Sequence, residues 1–177
     1  MPGCEVEPHL FIVLGGSGAL MRRKLLPALR RLHLEGQIGG SVILGAARRS
    51  QFDDVGYRQW ARAALAQAGL AVDDQCDAWC DDCLHYQALG EEAPADFQAL
   101  KTRIETIERE HGLPGNRVFY LAIPPAGLPR AVQGLGAAGL NRGPGWTRLV
   151  IEKPFGRDLQ SAEALDALVK AYFTESQ

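Results

Sequence analysis

Residues 10–25, LFIVLGGSGALMRRKL, decide the architecture. Five apolar residues without alternation (Leu10, Phe11, Ile12, Val13, Leu14) predict a strand buried on both faces, as in a parallel sheet. Gly15, Gly16 and Gly18 follow at once, and a helical pattern starts directly after them. Strand, glycine turn and helix N-terminus together make an anion cradle. The glycines let the backbone approach phosphate oxygens closely, while unpaired N–H groups and the helix dipole favour negative charge. In the helix, Met21, Leu25, Ala28, Leu29 and Leu32 recur at helical spacing, and Gly36 offers a stop. Pro27 lies well inside it, where the missing N–H predicts a kink. Arg22, Arg23 and Lys24 crowd the first turns, although cations there oppose the macrodipole by a few tenths of a kcal/mol or more each. A bound anion would compensate them, which favours phosphate contact over a merely solvated basic face.

Outward from that stretch, residues 41–44 (SVIL) read as a second strand leading into GAARRS at 45–50. In a dinucleotide fold the end of this strand meets the adenine ribose, where an acid holds the 2′-hydroxyl of NAD and a base holds the 2′-phosphate of NADP. The chain has Arg48 and Arg49 there and no acid, so the coenzyme expected is NADP. Helical patterns follow at 57–68 and at the Asp- and Cys-containing stretch after it, a strand at 84–86, and a helix at 95–110 with Phe97, Leu100, Ile104 and Ile107 on one face. Strands at 117–123 and 147–151 are stopped by Pro124-Pro125 and by EKPFG at 152–156, with a crossover helix at 128–140 between them. Alternating strands and helices predict an α/β, Rossmann-type fold: a mostly parallel sheet with helices on both faces. Residues 1–177 read as a single domain whose first nine residues are flexible. Ligands in such sheets lie beyond the carboxyl ends of the strands, so residues 15–18, Arg48, Pro124-Pro125 and Lys153 should converge on one edge.

Composition narrows the partners. With 46% apolar and 23% charged residues and a formal net charge of −2, the chain has no general attraction for nucleic acid or anionic membranes. The N-terminus MPGCEVEPH has no signal-like core, and no apolar run is long enough to span a bilayer, so a cytoplasmic protein is expected. Cys76, Cys80 and Cys83, with His85 nearby, have a spacing that can hold an iron–sulfur cluster or zinc. A helical face of buried thiols beside Trp79 is the better reading, because Asp77, Asp81 and Asp82 disfavour further anionic thiolates. No metal site is therefore assigned. His85 reads as a strand side chain with a local partner.

Four blocks in this order resemble the N-terminal coenzyme domain of the glucose-6-phosphate dehydrogenase family: GGSGALMRRKLLPAL (15–29), GAARRS (45–50), NRVFYLAIPP (116–125) and GWTRLVIEKPFGRDLQSA (145–162). EKPFGRDL is the most specific of them. The resemblance implies that Gly15, Gly16, Ser17, Gly18, Ala19, Leu20 and Arg22 bind the NADP pyrophosphate region and that Arg48 binds the 2′-phosphate. It further implies that Lys24 meets the sugar phosphate of glucose 6-phosphate, that Lys153 stands near both substrate and coenzyme, and that Pro154 forms a hinge beside it. Two positions depart from the family pattern: Ala19 replaces the usual aspartate after S-G, and Leu128 stands where an aromatic commonly follows the double proline. Residues 172–177 (YFTESQ) resemble the segment just before the family's R-I-D-H-Y-L-G-K. The catalytic histidine and the large substrate domain are accordingly expected beyond Gln177, since none of His9, His33, His85 or His111 can be argued to replace that base. The expectation is an NADP-binding domain that turns over poorly by itself and self-associates through the face that the second domain would cover. The alternative is a non-catalytic, NADP-sensing or partner-binding truncated homologue.

Overall fold

A computed structural model describes residues 6–48 and 52–177. Five strands, β1 (Leu10–Leu14), β2 (Val42–Ala47), β3 (Leu84–Ala88), β4 (Arg117–Leu121) and β5 (Thr147–Ile151), form one sheet in the order β3-β2-β1-β4-β5. Every pairing is parallel. Six α-helices surround it among the described residues: α1 (Leu26–Leu34), α2 (Asp54–Gln67), α3 (Asp74–Cys83), α4 (Pro94–Glu110), α5 (Leu128–Ala137) and α6 (Leu159–Tyr172).

The unalternating apolar run of β1 is explained by two cores. Leu10, Ile12 and Leu14 enter a cluster with residues of α4, α5 and α6 on one face. Val13, with Phe11 at its margin, enters a second cluster with α1, α2 and α3 on the other. Side chains alternate across a strand, so a strand covered on both faces must be apolar at every position. The doubly covered parallel sheet read from the sequence is the observed one.

Several boundaries differ from the sequence reading. The second strand runs to Ala47, because Gly45, Ala46 and Ala47 continue the ladder against Tyr86, Gln87 and Ala88 of β3. The kink expected at Pro27 is instead a π-turn just before it, over Met21–Leu25, in which the Leu26 N–H bonds to Met21 O. Pro27 follows the π-turn directly, inside a helix that is continuous from Ala19 to Leu34. The extra residue in the π-turn rotates the helix face by one position. Leu26, Leu29 and Pro27 are buried, whereas Ala28 is exposed and Leu32 only half-buried. Helix α6 was not anticipated from the sequence. Its N-terminus is capped by Asp158, which accepts from the Ser161 N–H, and Leu165 with Leu168, Val169 and Tyr172 packs on the first core.

Two polar clusters fix the periphery. Arg117, at the start of β4, makes a buried bidentate pair with Glu108 of α4, at 2.6 and 2.8 Å. At the outer edge of the sheet, Asp54 accepts from the Tyr86 N–H (2.7 Å) and from Arg103, while His85 lies 3.4 Å from Asp54 and 3.1 Å from His111. His85 thus has the local partners expected of it. Cys76 and Cys80 are buried beside Trp79, and burial pushes the Cys80 and Cys83 thiols up to about 12 and about 11. No helix among the described residues is long and apolar enough to cross a membrane.

Candidate coenzyme groove

Because all strands are parallel, their carboxyl ends share one edge, and β1 delivers the glycine turn to its middle. The turn is clamped between the neighbouring strands. Gly15 and Gly16 both donate to Ala46 O (2.8 and 3.0 Å), and the Ala122 N–H donates to Leu14 O (2.8 Å). Gly15 has φ +90°, and a Cβ there would stand 2.3 Å from Ala122 O. At Gly16 a Cβ would lie 2.5 Å from the Gly45 Cα, so the turn rests directly on the backbone of β2. Gly45 is in turn required by Tyr57, whose hydroxyl oxygen would be 2.3 Å from any Cβ added there. The Tyr57 hydroxyl donates to Gly16 O at 2.8 Å. Full burial drives its ionisation far above the usual phenol range, keeping it a neutral donor.

Gly18 donates back to Gly15 O (2.8 Å), and the Arg22 N–H is the first of the following helix to bond back, to Gly18 O (3.0 Å). The N–H groups of Gly15, Gly16 and Gly18 are therefore used inside the fold. Ahead of the first bonded turn, the N–H groups of Ala19, Leu20 and Met21 take no backbone acceptor among the described residues. Above the turn lies a groove of about 200 Å³, walled by Gly15, Ser17 and Gly18, by Arg48 from the tip of β2, and by Ile123 and Pro124 after β4. An adjoining lobe of about 360 Å³ shares Arg48, Glu92, Ile123 and Pro124 and reaches Arg130 of α5. One end of the depression is thus formed by the glycine turn that leads into the helix and the other by a guanidinium and the Glu92 side chain, with an apolar wall between them.

Residues 12–177 match the family described as "Glucose-6-phosphate dehydrogenase, NAD binding domain". The chain belongs to the glucose-6-phosphate dehydrogenase family. It is 34% identical over 173 residues to the glucose-6-phosphate 1-dehydrogenase of Bacillus subtilis, covering 95% of this chain and 34% of that one. With the enzyme of Mycolicibacterium smegmatis the identity is 36% over 177 residues, 97% of this chain and 34% of the relative. A solved structure of a glucose-6-phosphate dehydrogenase in complex with its substrate glucose-6-phosphate superposes with a TM-score of 0.82 at 31% identity, over 99% of this chain and 36% of that one. The Mycobacterium avium glucose-6-phosphate 1-dehydrogenase gives 0.79 at 26% identity, over 95% and 35%. The chain spans about a third of the length of these relatives.

Within this family domain, the residues singled out from the sequence separate into groups. Gly15, Ser17, Gly18, Arg48 and Pro124 come together at the groove, with Gly16 buried next to it; Ala19 and Leu20 follow Gly18 at the start of the helix and are not among the groove walls. Arg22 lies elsewhere: its guanidinium donates to Gln67 at the end of α2, in a surface recess shared with Arg23. Lys24 is exposed on the π-turn. Lys153 and Pro154, joined by a cis peptide, are exposed beyond β5 on the same sheet edge, outside the groove walls. Tyr120 donates to Glu152 beside them; its hydroxyl is pushed up to about 12 by burial and by that carboxylate. Leu128 is buried in the core at the first position of α5, so it presents nothing to the groove. Arg49 lies outside the described residues.

Sequence reasoning missed four residues of this neighbourhood. Tyr57 supports the turn from below, and Tyr86 meets the Ser17 hydroxyl. Glu92 and Arg130 wall the outer lobe. Only Tyr57 had a readable signal, the glycine interrupting the apolar strand VILGAA, since glycine inside a strand marks close approach of another group.

Proposed function

We propose that this domain binds NADP as the coenzyme of a glucose-6-phosphate 1-dehydrogenase. The observation that carries the coenzyme choice is Arg48, exposed at the tip of β2 in the wall of the groove; the sequence directly after β2 has no acid, and the Glu92 carboxylate that also lines the groove comes from the loop after β3. The donor set fits a dinucleotide phosphate: N–H groups at a helix terminus for the pyrophosphate and a guanidinium for a phosphate dianion. When bound, NADP supplies the nicotinamide C4 that accepts hydride from C1 of glucose 6-phosphate. Ile123 and Pro124 provide an apolar surface that shields the coenzyme from water, and Ala19 and Leu20 orient its pyrophosphate. The Lys153 ammonium, on the same sheet edge, suits an anionic hexose phosphate or its hydroxyls. Among the described residues no histidine lines the groove. His9 lies with Ser41 (3.1 Å) and His85 with His111 at the sheet periphery, away from the groove walls.

Calorimetric titration of the chain with NADP and NAD tests the reading. NADP should bind at least tenfold more tightly, and Arg48→Ala should abolish that preference. Equal or tighter binding of NAD by the unaltered chain would defeat the assignment. Absorbance at 340 nm should show little or no oxidation of glucose 6-phosphate by these 177 residues alone; turnover at rates ordinary for an enzyme would mean that a base has been overlooked.

A further inference from the structure

Arg130 is the third residue of α5, in the first turn of the helix, where a cation works against the helix dipole. It is exposed, and among the described residues it forms no ion pair within 4 Å. One of its nitrogens, Nη1, donates to Glu91 O at 3.0 Å, which ties the guanidinium to the loop between β3 and α4 and leaves its remaining N–H groups available. That loop is itself fixed. Glu92 adopts φ +58°, a left-handed conformation uncommon for a non-glycine residue, and its N–H donates to Leu89 O at 2.8 Å. Arg130, Glu92 and Arg48 then wall one lobe of about 360 Å³, opening directly from the glycine turn.

We propose that Arg130 is a second phosphate-reading residue, which with Arg48 grips the 2′-phosphate of the adenosine end of the coenzyme. The inference rests on the NADP reading above and adds to it a residue from a different element. The physical argument is charge balance. Two guanidinium groups and the Glu92 carboxylate leave the lobe with a surplus positive charge, which a phosphate dianion neutralises and a ribose hydroxyl cannot. Both arginines line this one lobe, so a phosphate bound there is flanked by side chains from two different elements. Arg48 comes from the tip of β2 and Arg130 from the helix after β4, so the two approach from opposite sides of the β1 turn. The contact from Glu91 O holds Arg130 before the coenzyme arrives, which reduces the side-chain entropy lost on binding.

The test uses fragments carrying only the adenosine end. 2′,5′-ADP and 5′-AMP are titrated by calorimetry into the full chain and into Arg48→Ala, Arg130→Met and Arg130→Lys, with circular dichroism confirming that each variant is folded. Arg130→Met, which keeps the aliphatic stem, should weaken 2′,5′-ADP about tenfold and leave 5′-AMP unchanged, and Arg130→Lys should fall between. If Arg130→Met affects both ligands equally, or neither, while Arg48→Ala loses the discrimination, the inference for Arg130 is wrong and the NADP reading stands. If the unaltered chain does not distinguish 2′,5′-ADP from 5′-AMP, both readings fall.

Discussion

Gly16 and Gly18 belong to one motif, yet the structure gives them different work, and alanine at each position should separate folding from binding. At Gly16 an added Cβ meets only backbone, the Gly45 Cα at 2.5 Å and the Ala46 nitrogen at 2.7 Å. Neither can move without parting β1 from β2. The turn must lift, stretching the Gly15 and Gly16 bonds to Ala46 O and the Tyr57 bond to Gly16 O. Overpacking of this kind costs about 1–3 kcal/mol, and weakened hydrogen bonds add about 1 kcal/mol. For a chain of this size the sum corresponds to a Tm lower by roughly 5–15 °C. At Gly18 the Cβ points outward, meets only Gly15 O at 3.0 Å, and needs no left-handed backbone. Gly18→Ala should shift Tm by no more than a few degrees, but on the proposed NADP reading its methyl crowds the pyrophosphate and should weaken NADP by about ten- to a hundredfold. Differential scanning calorimetry and NADP titration of both variants decide the matter. A Gly16→Ala protein as stable as the parent, or a Gly18→Ala protein that loses more stability than affinity, would refute the reasoning.

Four further perturbations test the surroundings. The Glu108–Arg117 pair is buried and bidentate, so Glu108→Gln should cost about 3–5 kcal/mol in urea unfolding by stranding a buried guanidinium, and the Glu108→Leu/Arg117→Met double variant should recover much of the loss. His111 is lowered by burial and then by His85, and His33 by burial and then by the charge of Arg30. Both take up protons more readily when unfolded, so their contribution is complete above about pH 6.5 and is lost as pH falls below it; the His33→Asn/His111→Asn variant should flatten that slope in Tm against pH. Burial alone would raise Asp54, but hydrogen bonds from His85, the Tyr86 N–H and Arg103 outweigh it and hold the carboxyl well below its usual range. Its contribution is present above about pH 3.9 and disappears at lower pH, a loss that Asp54→Asn should not show. Finally, with Cys80 and Cys83 pushed up to about 12 and about 11, Ellman's reagent at pH 8 should label a Cys4→Ser chain far more slowly folded than in urea. Rapid labelling of the folded chain would contradict the buried placement of α3.

The fold was legible wherever burial acts on every residue of a segment. β1 was bounded to the residue because its continuous apolar run ends at glycine, and β5, whose residues alternate between covered and exposed, was bounded by the EKP stop. β2 was cut short at Gly45, since a strand glycine that is needed for contact with Tyr57 is indistinguishable in one sequence from a glycine that ends a strand. The helix after the turn was found, but its buried face was assigned one position off, because a π-turn leaves no mark in local periodicity. In the site, Gly15, Gly18 and Arg48 could be read because they follow strands directly, and strand ends in a parallel sheet meet at a common edge.

The sequence by itself determined the doubly covered parallel sheet, the turn at its centre and the basic character of the groove beside it. Each follows from a pattern within one element: apolar runs, glycines before a helix, an arginine at a strand end. Which donors of the turn stay open, where the Arg22 guanidinium goes, and that Arg130 joins Arg48 in one lobe were decided only by the tertiary structure. The physical reason is that these depend on contacts between residues tens of positions apart. A backbone N–H is available to a ligand only if no neighbouring strand has already taken it, and a charge belongs to a site only if folding brings it there.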